Sequence, residues 1–126
     1  MPVDGILQIH VTAEDVPGMV SFYRDVLGIE FLFDVPGQSM AFFDTDGVRL
    51  YVGRAESPEF ASAPLFYFRV SDIESEFERM TDLGVAFQSD PHLVHRTEEM
   101  ELWVATFLTP AGHVNALAEE RPISPR

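Results

Sequence analysis

Four histidines and no cysteine bound the chemistry open to this chain. Without a thiol there is no disulfide framework, no cysteine-ligated zinc and no thiol nucleophile. His10 is the strongest of the four. It follows Gln8 by two residues in a stretch running Gln8, Ile9, His10, Val11, Thr12, Ala13, so on a strand Gln8 and His10 share a face. A polar side chain turned inward from a sheet must find a partner or do chemistry, so His10 is either a base or ligand, or a satisfied core histidine. His92 and His95 could approach the same ligand from the other half of the chain, ahead of the strand carrying Glu101 and Trp103. Their segment opens at Pro91 and is expected to be an irregular loop with exposed or turn-bonded histidines. His113 follows Gly112 in a tight turn and is expected to be structural. The run Glu98, Glu99, Met100, Glu101 is expected to be solvated edge-strand charge. There is no G-x-S-x-G elbow, no P-loop and no G-x-G-x-x-G turn.

The elements that must position these residues repeat. Ile9, Val11 and Ala13 form one apolar strand face, and Phe66, Phe68 and Val70 form another. Each strand leads to an aspartate suited to capping a helix, Asp15 and Asp72. Helical spacing follows in both, through Val16, Met19, Tyr23, Val26 and Leu27, then through Ile73, Phe77, Met80 and Leu83. Gly28 and Gly84 end the helices. Strands are then expected over 29–35, 39–44 and 48–53 in the first half, and over 85–88, 100–108 and 113–118 in the second. The repeat spans residues 5–53 and 64–119, with 54–63 as a linker and 120–126 as a frayed tail. Neither half buries a sheet face alone, so residues 1–126 are expected to be one domain.

Composition narrows the partners. At 46% hydrophobic residues the chain has enough apolar material for a core, which excludes disorder for its bulk. Twenty-one acidic residues against eight arginines and no lysine give −13. That field repels phosphate backbones and anionic lipid, so neither nucleic acid nor membrane is an expected partner. It attracts cations, or simply keeps the surface hydrated. No secretory signal and no membrane span are apparent, so a cytoplasmic location is expected.

The tandem βαβββ pattern, the heptapeptide Phe22, Tyr23, Arg24, Asp25, Val26, Leu27, Gly28, and the hairpin Phe107, Pro110, Gly112 resemble the vicinal oxygen chelate superfamily. This is the glyoxalase, bleomycin-resistance and extradiol-dioxygenase group. Asp90, Pro91, His92, Leu93, Val94 with Glu101, Leu102, Trp103 are similar to one of its uncharacterised subgroups. The resemblance covers essentially the whole chain. It implies an α+β, glyoxalase-like fold, with curled mixed sheets round a pocket in each half, and a homodimer.

In metal-using members the resemblance implies four ligand slots, one on the first and one on the last strand of each half. Counted from the capping aspartates and turn glycines, they fall on Gln8, Leu65, Tyr51 and Ala116. Gln8 and Leu65 are separated by 57 residues, as are Asp15 and Asp72, which supports the register. One amide, one phenol and two hydrocarbons make a poor donor set for a divalent ion. No metal and no cofactor are therefore expected; a non-standard divalent site on His10 with His92, His95 or Glu101 is the alternative.

The inward positions implied for a small-molecule ligand are Gln8, His10, Arg49, Tyr51, Tyr67, Arg69, His92, Glu101 and Trp103. A hollow with three aromatic rings suits a flat or partly apolar molecule, though Tyr67 and Trp103 could equally just fill the sheet. Arg49 and Arg69 are expected to form internal ion pairs, with Glu101 as a candidate partner, or to meet a ligand carboxylate. Two functions stay open. One is a lyase, isomerase or dioxygenase acting on an oxygenated metabolite, with His10 as the catalytic residue. The other is a non-catalytic protein that sequesters a cationic, antibiotic-like ligand.

Overall fold

Asp15 accepts a hydrogen bond from Gly18 N at 3.0 Å and Asp72 one from Ser75 N at 3.1 Å. Each carboxylate thus satisfies a backbone N–H at a helix start that has no partner within the helix. These two caps mark the two repeats. The computed structural model describes residues 2–123, and the chain divides into two units, Met1–Ala63 and Pro64–Arg126. The expected α+β architecture is what forms, with one open mixed sheet in each unit.

In the first unit β1 (Gln8–Thr12) leads to α1 (Val16–Ser21), followed by β2 (Glu30–Asp34), β3 (Met40–Thr45) and β4 (Val48–Gly53). The sheet order is β1-β4-β3-β2, with β1 and β4 parallel and the other pairs antiparallel. Val11, Phe43, Leu50 and Val52 are buried with Met19 and Tyr23 of the helical segment. Tyr23 meets Phe43 edge to face, with ring centroids 5.4 Å apart. The sequence predicts one continuous α-helix here, but Phe22–Val26 forms a π-helical turn, closed by Leu27 N to Phe22 O at 3.0 Å. Phe22 and Tyr23 are both buried in this turn.

Residues 54–63, expected as a linker, are instead tied into this unit. Thr12 Oγ1 donates to Ser62 O at 3.0 Å and accepts from Ser62 N at 2.9 Å. Pro58–Phe60 adds a short 3-10 turn. Thr12, a polar residue of the first strand, finds its partners there.

In the second unit β5 (Tyr67–Arg69) and α2 (Ile73–Asp82) precede β6 (Ala86–Phe87), β7 (His92–Arg96), β8 (Met100–Leu108) and β9 (Val114–Pro122). The sheet order is β5-β9-β8-β6, with β7 also paired to β8. Ile73 and Met80 are buried, as are Phe107 and Leu117 of the sheet.

Two expectations fail here for physical reasons. Residues 92–96 are an exposed edge strand, not an irregular loop. Pro91 stands just outside the strand, where its missing N–H removes no ladder bond. The tail expected from residue 120 does not begin there. Glu120, Arg121 and Pro122 continue β9 opposite Leu102, Glu101 and Met100. Only Ser124, Pro125 and Arg126 of that tail lie outside the described residues.

Candidate functional site

Sheet register decides which side chains share a face, since cross-strand partners point the same way. In the first unit Gln8 pairs with Arg49 and His10 with Tyr51. Tyr51 pairs in turn with Phe42, and Phe42 with Phe33. The four rings form one continuous stack across the sheet. His10 and Tyr51 lie 4.0 Å apart between centroids and 2° from parallel. Tyr51 and Phe42 follow at 5.1 Å and 16°, then Phe42 and Phe33 at 4.7 Å and 26°. The opposite face of the same strands carries the core residues Val11, Leu50, Val52 and Phe43, so this row is not part of that packing.

Gly53 makes room for the stack. A Cβ there would lie 2.7 Å from Tyr51 Cε1 and 2.8 Å from its hydroxyl oxygen. Only glycine lets the Tyr51 ring fold down over the strand end while remaining parallel to His10.

The two titratable rings of the stack, His10 and Tyr51, are held neutral. Burial pushes the His10 ring below its ordinary 6.5, with the Glu56 carboxylate pulling weakly the other way. Its Nε2 is buried and has no hydrogen-bond partner among the described residues. Burial and the Glu56 charge both push the Tyr51 phenol above 10, so it keeps its proton at neutral pH. Gln8 Oε1 accepts a 2.7 Å hydrogen bond from Arg49 Nε. Among the described residues Arg49 pairs with no carboxylate, so the internal ion pair expected of it is not found there.

In the second unit the register separates residues that the sequence groups together. Arg69, Ala118, Val104 and His92 form one row, and Tyr67, Ala116 and Thr106 another on the same face. Tyr67 is 59% exposed. A bulge between Leu93 and His95 brings His95 opposite Leu102, so both histidines of β7 share this face. Trp103 and Glu101 lie on the other face, paired with Glu119 and Arg121. There Trp103 Nε1 donates to Glu101 at 3.1 Å, and the Arg121 guanidinium sits 4.4 Å above the indole. Trp103 is thus placed opposite Tyr67 and Arg69, not beside them. Glu101 is also 3.6 Å from Arg96, and His92 Nδ1 contacts Asp90 O at 2.9 Å. The backbone N of His113 donates to Thr109 Oγ1 at 3.2 Å in the turn.

The four slots implied for a metal do not fit one. The Gln8 oxygen is taken by a cation, Tyr51 holds its proton, and Leu65 and Ala116 offer no donor atom. Carboxylates of Asp72, Glu74 and Glu119 do converge in the second unit, but Arg121 already bridges Glu74 and Glu119. Phe42, Phe33, Gly53 and Glu56 are the site residues that sequence reasoning missed. Alternation along β3 places Phe42 opposite Phe43 in direction, which was the available signal.

Comparison with known proteins agrees with this architecture. The Glyoxalase/Bleomycin resistance protein/Dioxygenase superfamily profile matches residues 5–117. A superfamily member from Sphaerobacter thermophilus has 20% identity and a TM-score of 0.75, covering 94% of this chain and 99% of its own. A lactoylglutathione lyase from Agrobacterium tumefaciens has 22% identity and a TM-score of 0.70, with coverages of 94% and 96%. TnmS3, an antibiotic-binding protein from Streptomyces, has 21% identity and a TM-score of 0.73, with coverages of 96% and 99%. No curated protein matches the sequence. No helix among the described residues is long and apolar enough to cross a membrane. The chain belongs to the glyoxalase/bleomycin resistance protein/dioxygenase superfamily.

Proposed function

We propose that the protein binds and sequesters a flat, ring-containing small molecule on the face formed by His10, Tyr51, Phe42 and Phe33. The observation that carries this reading is the four-ring stack itself. Parallel rings stacked in one row present a line of ring edges, with a neutral imidazole at one end, against which the face of a further ring can lie edge to face, at roughly 0.5–1.5 kcal/mol per aromatic pair beyond area burial. The antibiotic-binding neighbour from Streptomyces supports a sequestering role for this fold. The mismatch of the four slots with a divalent ion supports binding over metal-dependent chemistry.

Naphthamide, a flat neutral probe, is expected to bind saturably with or without EDTA. Its affinity is expected to fall on the order of tenfold in Gly53→Ala, where the new methyl drives the Tyr51 ring out of line. Equal affinity in wild type and Gly53→Ala, measured by calorimetry, would refute the stacking surface.

A second reading is favoured by one atom. The buried, unpartnered Nε2 of His10 on a neutral ring suits a general base, as in a lyase, isomerase or dioxygenase acting on an oxygenated metabolite. The homodimer belongs to the same proposal. It is supported by exposed apolar side chains outside the ring row, including Leu65 at 50% and Val94 at 52%. Sedimentation equilibrium is expected to give about twice the 14.2 kDa chain mass; a clean monomer would count against it.

A further inference from the structure

Arginine pairing in this acidic protein is uneven. Among the described residues Arg24, Arg79, Arg96 and Arg121 each sit in an ion pair with a carboxylate, whereas Arg49, Arg54 and Arg69 do not. Arg54 donates instead to the backbone oxygen of Glu14, and of the three Arg49 is the one beside the ring stack. Its hydrogen bond runs from Nε to the neutral oxygen of Gln8, although 21 acidic residues are available in the chain. Asp44 stands directly across the β3–β4 ladder from Arg49, on the same face. Its carboxylate turns instead to Gly47 N at 3.4 Å, closing the hairpin turn. The nearest cross-strand acid is thus engaged elsewhere, and no carboxylate pairs with Arg49 among the described residues.

A guanidinium has five N–H donors, and the Gln8 contact uses only the one on Nε. The terminal nitrogens remain, and together they match the two oxygens of a carboxylate. The Gln8–Arg49 row is one step along the strands from the His10–Tyr51 row, a separation of about 7 Å at 3.3 Å per residue. A ring lying flat across the outer edges of His10 and Tyr51, edge to face with both, would bring a carboxylate attached to it within reach of Arg49.

We infer that the site selects an aromatic carboxylate, with Arg49 reading the carboxylate end-on and Gln8 holding Arg49 in position. This rests on the ring-stacking reading above and adds the ligand's charge to it. The inference reverses the sign that net charge suggests. A field of −13 favours cations at a distance, but at 0.15 M salt it is screened over about 8 Å. At contact the local guanidinium decides.

Three probes of one shape separate the outcomes: naphthoate, naphthamide and naphthylmethylammonium, titrated calorimetrically into the full chain. Naphthoate is expected to bind tightest, by on the order of tenfold over the amide. In Arg49→Gln that preference is expected to vanish while amide affinity is kept, which also reports that the variant is folded. Arg49→Lys is expected to recover only part of the preference, because an ammonium cannot make the planar fork. Equal binding of acid and amide, a preference that survives Arg49→Gln, or tightest binding of the ammonium would each overturn the role of Arg49 and leave the stacking surface standing. Failure of all three probes to bind would overturn the stacking reading, and this inference with it.

Discussion

Truncating Phe43 to alanine is expected to cost about 3–5 kcal/mol of folding stability, whereas the same change at its neighbour Phe42 is expected to cost about 1–2 kcal/mol. Phe43 is fully buried, meeting Tyr23 and Phe31 edge to face. Removing its ring leaves a cavity that packed neighbours fill only in part. Phe42 projects from the opposite face of the same strand and is only half buried, losing two stacked partners, Tyr51 and Phe33. Binding is expected to show the reverse order. Phe42→Ala interrupts the four-ring row and is expected to lower naphthamide affinity on the order of tenfold. Phe43→Leu, which keeps most of the buried volume, is expected to leave that affinity within about twofold. Urea unfolding and calorimetry on the three variants check both halves. If Phe42→Ala destabilises as much as Phe43→Ala, the ring row is core packing and the proposed surface is wrong.

The contrast between these adjacent phenylalanines also marks where the sequence is legible. Strand alternation says that Phe42 and Phe43 oppose each other, and helix caps at Asp15 and Asp72 locate the repeats. The strands Val48–Gly53 and Met100–Leu108 fall where alternation and turn glycines put them. Facing across strands is harder, because it depends on register and on bulges. By strict alternation Phe31 and Phe33 would share a face. The shift between them in β2 sends Phe31 to Phe43 and Phe33 to Phe42, and so completes the ring row. The bulge in β7 likewise brings His92 and His95 together, where an offset of three would separate them.

Trp103 shows the same limit from the other side. Its position relative to Tyr67 follows from counting through β9 and β8, where Tyr67 pairs with Ala116 and Ala116 with Thr106. Three residues before Thr106 is the opposite parity. Without the β8–β9 register the tryptophan reads as part of the pocket; with it, the indole becomes the floor of an ion-pair network beside α2. Arg49 could not be read either, because a guanidinium is expected to find one of many carboxylates. That it bonds an amide instead is a matter of side-chain geometry on two strands.

That network carries the second large effect. Glu119→Ala is expected to lower stability by about 2–3 kcal/mol, from the loss of hydrogen bonds to a charged carboxylate. Glu119 Oε1 accepts from Ile73 N at 2.8 Å, fixing the start of α2 to β9, while Oε2 accepts from Arg121 Nε at 2.9 Å. Arg121 also reaches Glu74, but Glu74 is 56% exposed, so Glu74→Ala is expected to cost less than about 1 kcal/mol. The pH dependence has a definite sign. Burial acts to raise the Glu119 carboxyl, but hydrogen bonds from Arg121 and Ile73, with the guanidinium charge, outweigh it and hold the group below its ordinary 4.5. Because the folded value is depressed, this contribution is present in full above the unfolded value and is lost as pH falls through the folded one. Glu119→Gln keeps an oxygen for Ile73 N but cannot ionise. The stability gap between wild type and Glu119→Gln is therefore expected to be widest at neutral pH and to close as acid protonates the wild-type carboxyl. A gap that stays constant from neutrality down through that range, measured by urea unfolding at each pH, would show that Glu119 holds α2 by shape and hydrogen bonding alone, with no contribution from its charge.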